Sequence, residues 1–210
     1  MKKIVSNIIF RCARIFSYLY SYYFNKLFIS ALNVFYTGWI SREFKNFGKD
    51  SIIQRNINLR GGQYISIGSK SLIRSGSIIA AWDKYGSDHF QPEIIIGNNV
   101  AIGEGSHITA INMIEIGNHV LTGRQITISD NSHGTIDVQS LSTPPSSRAL
   151  YSKGPVIIED GVWIGDKVSI LSNVRIGKNS IIGANAVVTM DIPENCVAVG
   201  MPAKVIKIIK

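Results

Sequence analysis

The chain has 210 residues, of which 45 % are hydrophobic and 17 % charged, with 22 Lys and Arg against 14 Asp and Glu for a net charge of +8. A disordered chain is excluded, because the apolar material suffices to offset the entropy of ordering. So is a collagen-like or disulfide-scaffold protein, since there are 19 Gly and 2 Cys, and Cys12 and Cys196 at opposite ends read as thiols of a reducing compartment.

The first fifty residues differ from the rest. They hold 13 of the 19 aromatic side chains and +6 of the net charge. Ile4, Ile8, Ile9, Ile15, Phe16, Leu19, Phe24, Leu27, Phe28, Ala31, Leu32 and Phe35 approximate a helical stripe within residues 1–47. The uncharged runs, Ile15–Asn25 and Leu27–Ser41, fall short of the roughly 18–20 apolar residues that a bilayer span needs. Lys2 and Lys3 ahead of Ile4–Phe10 sketch a leader. Arg11 and Arg14 interrupt it and no A-x-A-like site follows, so export is not expected. Two readings stay open for this segment: helices that pack their aromatics on the rest of the protein or on neighbouring subunits, and a peripheral membrane contact through residues 1–47 with Lys and Arg meeting anionic lipid.

From residue 51 a six-residue period takes over. Ile158, Ile164, Ile170, Ile176, Ile182 and Val188 follow one another in unbroken steps of six, each but Ile170 ahead of a small or polar residue. In extended chain, residues two apart share a face, so Val162, Val168, Val174, Ser180 and Ala186 accompany the ladder as its small inward members. Short strands joined by tight corners predict a three-sided solenoid. The ladder runs upstream as Ile53, Leu59; Ile67, Ile73, Ile79; Ile96, Ile102, Ile108; and Ile116, Thr122, Ile128. Each break in it, at 59→67, 79→96, 108→116 and 128→158, follows the third member of a triplet, the first triplet lacking one member. With three sides per turn, every insertion leaves from one corner. Six turns at strand spacing predict a column on the order of 25–30 Å tall.

The predicted organisation is thus a helical, aromatic segment over 1–50, a repeat column over 51–192 with insertions 80–95 and 129–157, and a tail over 193–210. Long excursions from a rigid column are candidate functional loops. The first holds Trp82, Asp83, Tyr85 and His89, the second Asp130, Asn131, His133 and Tyr151. Trp82 and Asp83 are candidate substrate contacts. His133 at the start of the longest insertion is the candidate general base, because imidazole titrates near neutrality. Its other ring nitrogen needs a partner, for which a loop carbonyl or Asp130 is available, and Asp130 is also a candidate substrate contact. No G-x-S-x-G occurs and neither Cys has a nucleophile's context, so direct attack is preferred to a covalent intermediate.

The hexads resemble those of the hexapeptide-repeat acyltransferases, over about residues 51–207. SDNSHG at 129–134 resembles the catalytic-histidine loop of the galactoside, maltose, streptogramin and chloramphenicol acetyltransferases. VWIGDKVSI at 162–170, IIGANAVVTMDIP at 181–193 and VGMPAKVIK at 199–207 resemble their coenzyme-binding end. AWDKYGSDHFQPEIIIGNNV at 81–100, HITAIN at 107–112 and YSKGPVIIED at 151–160 are similar to the O-acetyltransferases of bacterial surface polysaccharides. The resemblance implies a left-handed parallel β-helix, a homotrimer with active sites between subunits, acetyl-CoA as co-substrate with no metal, and a saccharide acceptor. It places the catalytic base at His133, an acceptor contact at Asn112, and the coenzyme on Trp163, Gly165, Asp166, Ala184, Thr189, Lys204 and Lys207. Two positions depart from the pattern: Asn131 stands where many members have a first histidine, and Met190 where a Lys is usual.

The expected activity is acetyl transfer from acetyl-CoA to a sugar hydroxyl of a surface polysaccharide or its precursor. A drug-modifying O-acetyltransferase is the alternative. A zinc enzyme is disfavoured because His107, His119 and His133 occupy different hexad positions, and nucleic acid is not an expected partner because the charge sits in an aromatic helix. Since acetyl-CoA is cytosolic, the expected setting is cytoplasmic or the inner face of the cytoplasmic membrane.

Overall fold

Short strands that bury alternate residues stack into a three-faced parallel coil in the computed structural model, which describes residues 2–135 and 137–209. The first face is built from Asn46–Phe47, Ile65–Ile67, Glu93–Ile96, Met113–Ile116, Val156–Ile158 and Val174–Ile176. The second carries Ile52–Ile53, Leu72–Ile73, Ala101–Ile102, Leu121–Thr122, Trp163–Ile164, Ile181–Ile182 and Cys196–Val199, and the third Asn58–Arg60, Ile78–Ala81, His107–Ala110, Thr127–Ser129, Ser169–Ile170 and Val187–Val188. Pairings between these strands keep the hexad register, for example Ile108↔Ile128 and Ile164↔Ile182.

The core is the inside of this coil. Ile79, Ile102, Ile108, Ile128, Ile158, Ile164, Ile170 and Ile176 are fully buried, each adding about 1.5–3 kcal/mol of transfer free energy. The small inward positions include buried serines whose hydroxyls are satisfied between rungs. Ser71 Oγ donates to the Gly97 carbonyl at 2.8 Å and accepts from Val100 N–H at 3.0 Å. At one edge Gly68, Gly97 and Gly117 stack so closely that a Cβ on Gly68 would lie 2.6 Å from the Gly97 carbonyl carbon. Left-handed residues recur at the corners, six apart at Lys167, Asn173, Asn179 and Asn185.

The column extends past both expected boundaries. Phe47 pairs with Ile67 and is the missing first member of the first triplet, an aromatic where the ladder is otherwise aliphatic. At the other end Ile192 bridges to Ile176 and Ala198 pairs with Ile182, opening a seventh turn. The step from Val188 to Ile192 is short, which hides this turn from a search at six. Every insertion runs from the third face to the first, so all of them project from one edge.

Residues Lys2–Leu19 form helix α1 and Tyr22–Ile40 form helix α2, whose start is capped by Ser21 Oγ accepting from Phe24 N–H at 3.1 Å. Only the end of α2 packs on the column. Thr37 and Ile40 are buried, and Thr37 Oγ1 accepts from Ile53 N–H at 2.9 Å while lying 3.0 Å from the Ile53 carbonyl. α1 buries no residue, so the expectation that the segment packs its aromatics on the rest of its own chain holds only from the last turns of α2 onward, where Tyr36, Phe44 and Phe47 meet the core. Among the described residues, no helix is long and apolar enough to cross a membrane.

Candidate functional site

The second insertion leaves the third face after Ser129 and at once makes a two-residue antiparallel ladder, Ser132↔Tyr151 and His133↔Leu150. This ladder holds the ends of the loop together and sets His133 on a strand, not on a free coil. The His133 side chain is exposed and borders a cleft of about 620 Å³. Asn131, Gly134, Arg148, Tyr151 and Lys153 of the insertion line one side, and Leu171, Ser172, Asn173 and Thr189 of later rungs line the other.

The first insertion reaches the same place. Its hairpin, Lys84–Tyr85 with Asp88–His89, brings the Tyr85 ring edge-on to His133 with centroids 5.5 Å apart. Tyr85 Oη donates to the Ser146 carbonyl at 3.1 Å and so ties the two insertions together. Behind it Trp82 meets Tyr85 at 6.0 Å, and the Arg60 guanidinium lies 3.6 Å from the Trp82 ring centre. Arg60, Trp82, Tyr85 and His133 thus form one continuous train of flat groups along the insertion edge. Tyr85 was named in the sequence only as a member of its loop. An aperiodic excursion carries no signal for which of its rings will meet the histidine.

Asp130 requires a correction. It is neither an acceptor contact nor the partner of the imidazole. It is fully buried, and its oxygens accept from the N–H groups of Ile111 at 2.9 Å and Asn112 at 2.8 Å and from Asn131 Nδ2 at 3.0 Å. Burial raises its pKa above the ordinary carboxylate value, against the pull of those N–H groups. The position was foreshadowed by alternation, since Asp130 stands two residues after inward Ile128. Asn131 is spent likewise, with Nδ2 also donating to the Thr109 carbonyl at 3.2 Å. The pair anchors the base of the loop to the preceding rung. Among the described residues no hydrogen bond reaches the His133 ring, so its position is set by strand pairing and by Tyr85.

The remaining substrate candidates lie along the same edge. Asn112 is exposed at its corner, directly above Asp130. Trp82 is half-buried in the aromatic train. Asp83 is half-buried as well and accepts from Tyr64 Oη at 3.2 Å, which anchors the first hairpin.

The coenzyme candidates fall into two groups that one chain does not bring together. Thr189 lines the His133 cleft. Trp163 lies on the second face, 52 % exposed, in an outward ladder that runs Leu121, Trp163, Ile181, Val197. The strand Lys204–Ile208 adds antiparallel to that face, pairing Lys207 with Val197 and Lys204 with Val199. Residues three apart on a regular strand point to opposite sides, but a bulge opposite Val197/Ala198 absorbs one residue and returns both lysines to the outward side. The apolar ladder therefore ends in two ammonium groups. Gly165, Asp166 and Ala184 form the corner between the second and third faces. There Asp166 Oδ1 accepts from Arg124 N–H at 2.8 Å, and a Cβ on Gly165 would lie 2.6 Å from Ala184 N.

His107 points outward from the third face, His119 occupies a left-handed corner at φ 59°, and His89 is exposed on the first hairpin. Among the described residues no group of three or more His, Cys, Asp or Glu is placed to hold a metal ion.

Comparison with known proteins agrees with the architecture. The bacterial transferase hexapeptide (six repeats) pattern matches residues 155–189. An Escherichia coli K12 protein named for O-acetyl transfer in lipopolysaccharide biosynthesis (WbbJ) is 37 % identical over 118 residues, 54 % of this chain and 60 % of its own. The chain thus spans less than two thirds of that relative's length. A Schizosaccharomyces pombe protein named as an acetyltransferase is 31 % identical over 167 residues, 74 % of this chain and 78 % of its own. Among solved structures, a hexapeptide-repeat-containing acetyltransferase of Vibrio cholerae O1 biovar eltor, complexed with acetyl coenzyme A, superposes with a TM-score of 0.55 at 25 % identity over 82 % of this chain and 75 % of its own.

Proposed function

Because the chain belongs to the hexapeptide-repeat acyltransferase family, we propose that it transfers the acetyl group of acetyl-CoA to a hydroxyl of a saccharide, within the synthesis of a bacterial surface polysaccharide. The observation that carries the reading is His133, an exposed imidazole held on a short strand at the mouth of a 620 Å³ cleft that Thr189 of a later rung also lines. His133 takes the proton of the acceptor hydroxyl as that oxygen attacks the thioester carbonyl. The new C–O bond forms, the C–S bond breaks, and the imidazolium returns the proton to the leaving thiolate. The aromatic train of Trp82 and Tyr85 offers a flat apolar wall suited to a sugar ring.

The chain's residues fit the coenzyme. The outward ladder Leu121–Trp163–Ile181–Val197 suits an apolar pantetheine arm, and Lys204 and Lys207 at its end suit phosphates. That ladder lies on the second face, whereas His133 projects from the edge between the third and first. A single chain therefore separates thioester from base. A left-handed column packed as a homotrimer, with the second face of one copy against the His133 edge of the next, brings them together. The exposed apolar side chains of Leu121 and Trp163 support such packing.

The test is acetyl-CoA turnover with a panel of surface glycans and their lipid-linked and nucleotide-sugar precursors, read by mass shift, with chloramphenicol as a competing acceptor. Acetylation of a glycan that is lost in His133→Ala supports the reading. Turnover with chloramphenicol alone, or a full rate in His133→Ala, overturns it.

A further inference from the structure

We propose that α1 and α2 form a docking surface for an anionic lipid bilayer, with α1 lying in the plane of the interface. α1 has the two-sided pattern that such a position requires. At 3.6 residues per turn, Ile4, Ile8, Ile9, Ile15, Phe16 and Leu19 fall within a continuous arc of about 140°, and Lys2, Lys3, Arg11 and Arg14 fall outside it. That apolar arc covers nothing in this chain: α1 buries no residue, and Ile4 and Ile15 are 66 % and 67 % exposed. α2 adds exposed Phe24, Phe28, Phe35 and Trp39 on one face, opposite the Thr37 and Ile40 that dock on the first rung. Aromatic rings and long cationic stems are the side chains that headgroup depth favours.

Charge selects the occupant. Lys2, Lys3, Arg11, Arg14 and Lys26 give residues 2–40 five positive charges and no negative one, the first acidic residue being Glu43. The rest of the chain is itself at +3, so a second copy brings no net opposite charge to this surface. An anionic leaflet supplies the apolar medium and the opposite charge at once. α1 is 18 residues long and carries four charges, so it lies on a bilayer and does not span one. Through Thr37 and Ile40 this surface is fixed to the amino-terminal end of the column, so docking holds the column, and with it the His133 edge, at the membrane.

Flotation of the full chain with phosphatidylcholine vesicles, with and without phosphatidylglycerol, tests this. The chain is expected to float with phosphatidylglycerol vesicles at low salt and to be released as salt rises. Arg11→Gln with Arg14→Gln should weaken partitioning by about 30-fold. Ile8→Asp with Ile15→Asp, both on an exposed face, should abolish it while acetyl-CoA turnover on a soluble acceptor persists. That turnover reports on the proposed activity separately. Failure to float at low salt, or flotation that ignores both double variants, overturns the proposal. So does loss of self-association in Ile8→Asp/Ile15→Asp with lipid binding unchanged, which would assign the face to a second copy.

Discussion

The column and the amino-terminal helices are both rich in apolar side chains and use them in opposite ways. Inside the column nearly every large aliphatic side chain is buried within its own chain, whereas along α1 and α2 only Thr37 and Ile40 are buried. The column therefore holds itself up, and the helices carry a pattern whose complement lies outside the chain. Regular periodicity in a sequence shows that a face will be covered. It does not show by what.

The sharpest way to break this comparison is to place the same charge in both regions. Ile128→Asp sets an unpaired carboxylate in a position with no exposure and should abolish folding, at a cost of several kcal/mol. Ile8→Asp should leave the unfolding free energy within about 0.5 kcal/mol of wild type. Equal destabilisation by the two would mean that the helices are part of the folding core. Next in size is the loss of the proposed base. His133→Ala should lower turnover by roughly 10²–10⁴-fold with an unchanged circular-dichroism melt, because the side chain is exposed and its ring contact is with Tyr85 at the surface. Smaller again is the pair Lys204→Glu and Lys207→Glu, which should raise the KM for acetyl-CoA about tenfold with kcat little changed. An unaltered KM would place the phosphates away from the second face.

The column was legible because its constraint is local and repeats: a large aliphatic residue every six, a small one two before it, a corner between. Even the single edge from which all insertions leave followed from counting triplets. Phe47 escaped because an aromatic filled an aliphatic slot, and the seventh turn because the step from Val188 to Ile192 shortens at that edge. Of the candidate site, the histidine could be picked out from its motif and its surroundings could not. The Tyr85 ring meets His133 through two loops that have no period, and the two lysines share a side only because a bulge absorbs one residue. Asp130 shows the reverse failure. A carboxylate beside a candidate base invites a catalytic role, yet alternation points it inward and two backbone N–H groups hold it there.

That buried carboxylate gives the smallest expected effect, one of sign. Burial holds Asp130 above its ordinary pKa, so its contribution to stability is full below the unfolded value, about 3.9, and is lost as pH rises through the folded one. Glu159, at the surface of the column, runs the other way. The Lys178 N–H and the Arg175 guanidinium lower its pKa, so its contribution is full above the ordinary value and is lost as pH falls. Asn at position 130 does not titrate and presents one accepting oxygen, leaving one of the Ile111 and Asn112 N–H groups without its bond at every pH, a loss of about 1–3 kcal/mol. Measured by urea midpoints from about pH 4 to pH 7, the deficit of Asp130→Asn relative to wild type should narrow as pH rises, while that of Glu159→Gln should widen. A deficit of Asp130→Asn that widens instead would mean that the N–H groups outweigh burial, and that the base of the His133 loop is held by an ion where its desolvation calls for a neutral acid.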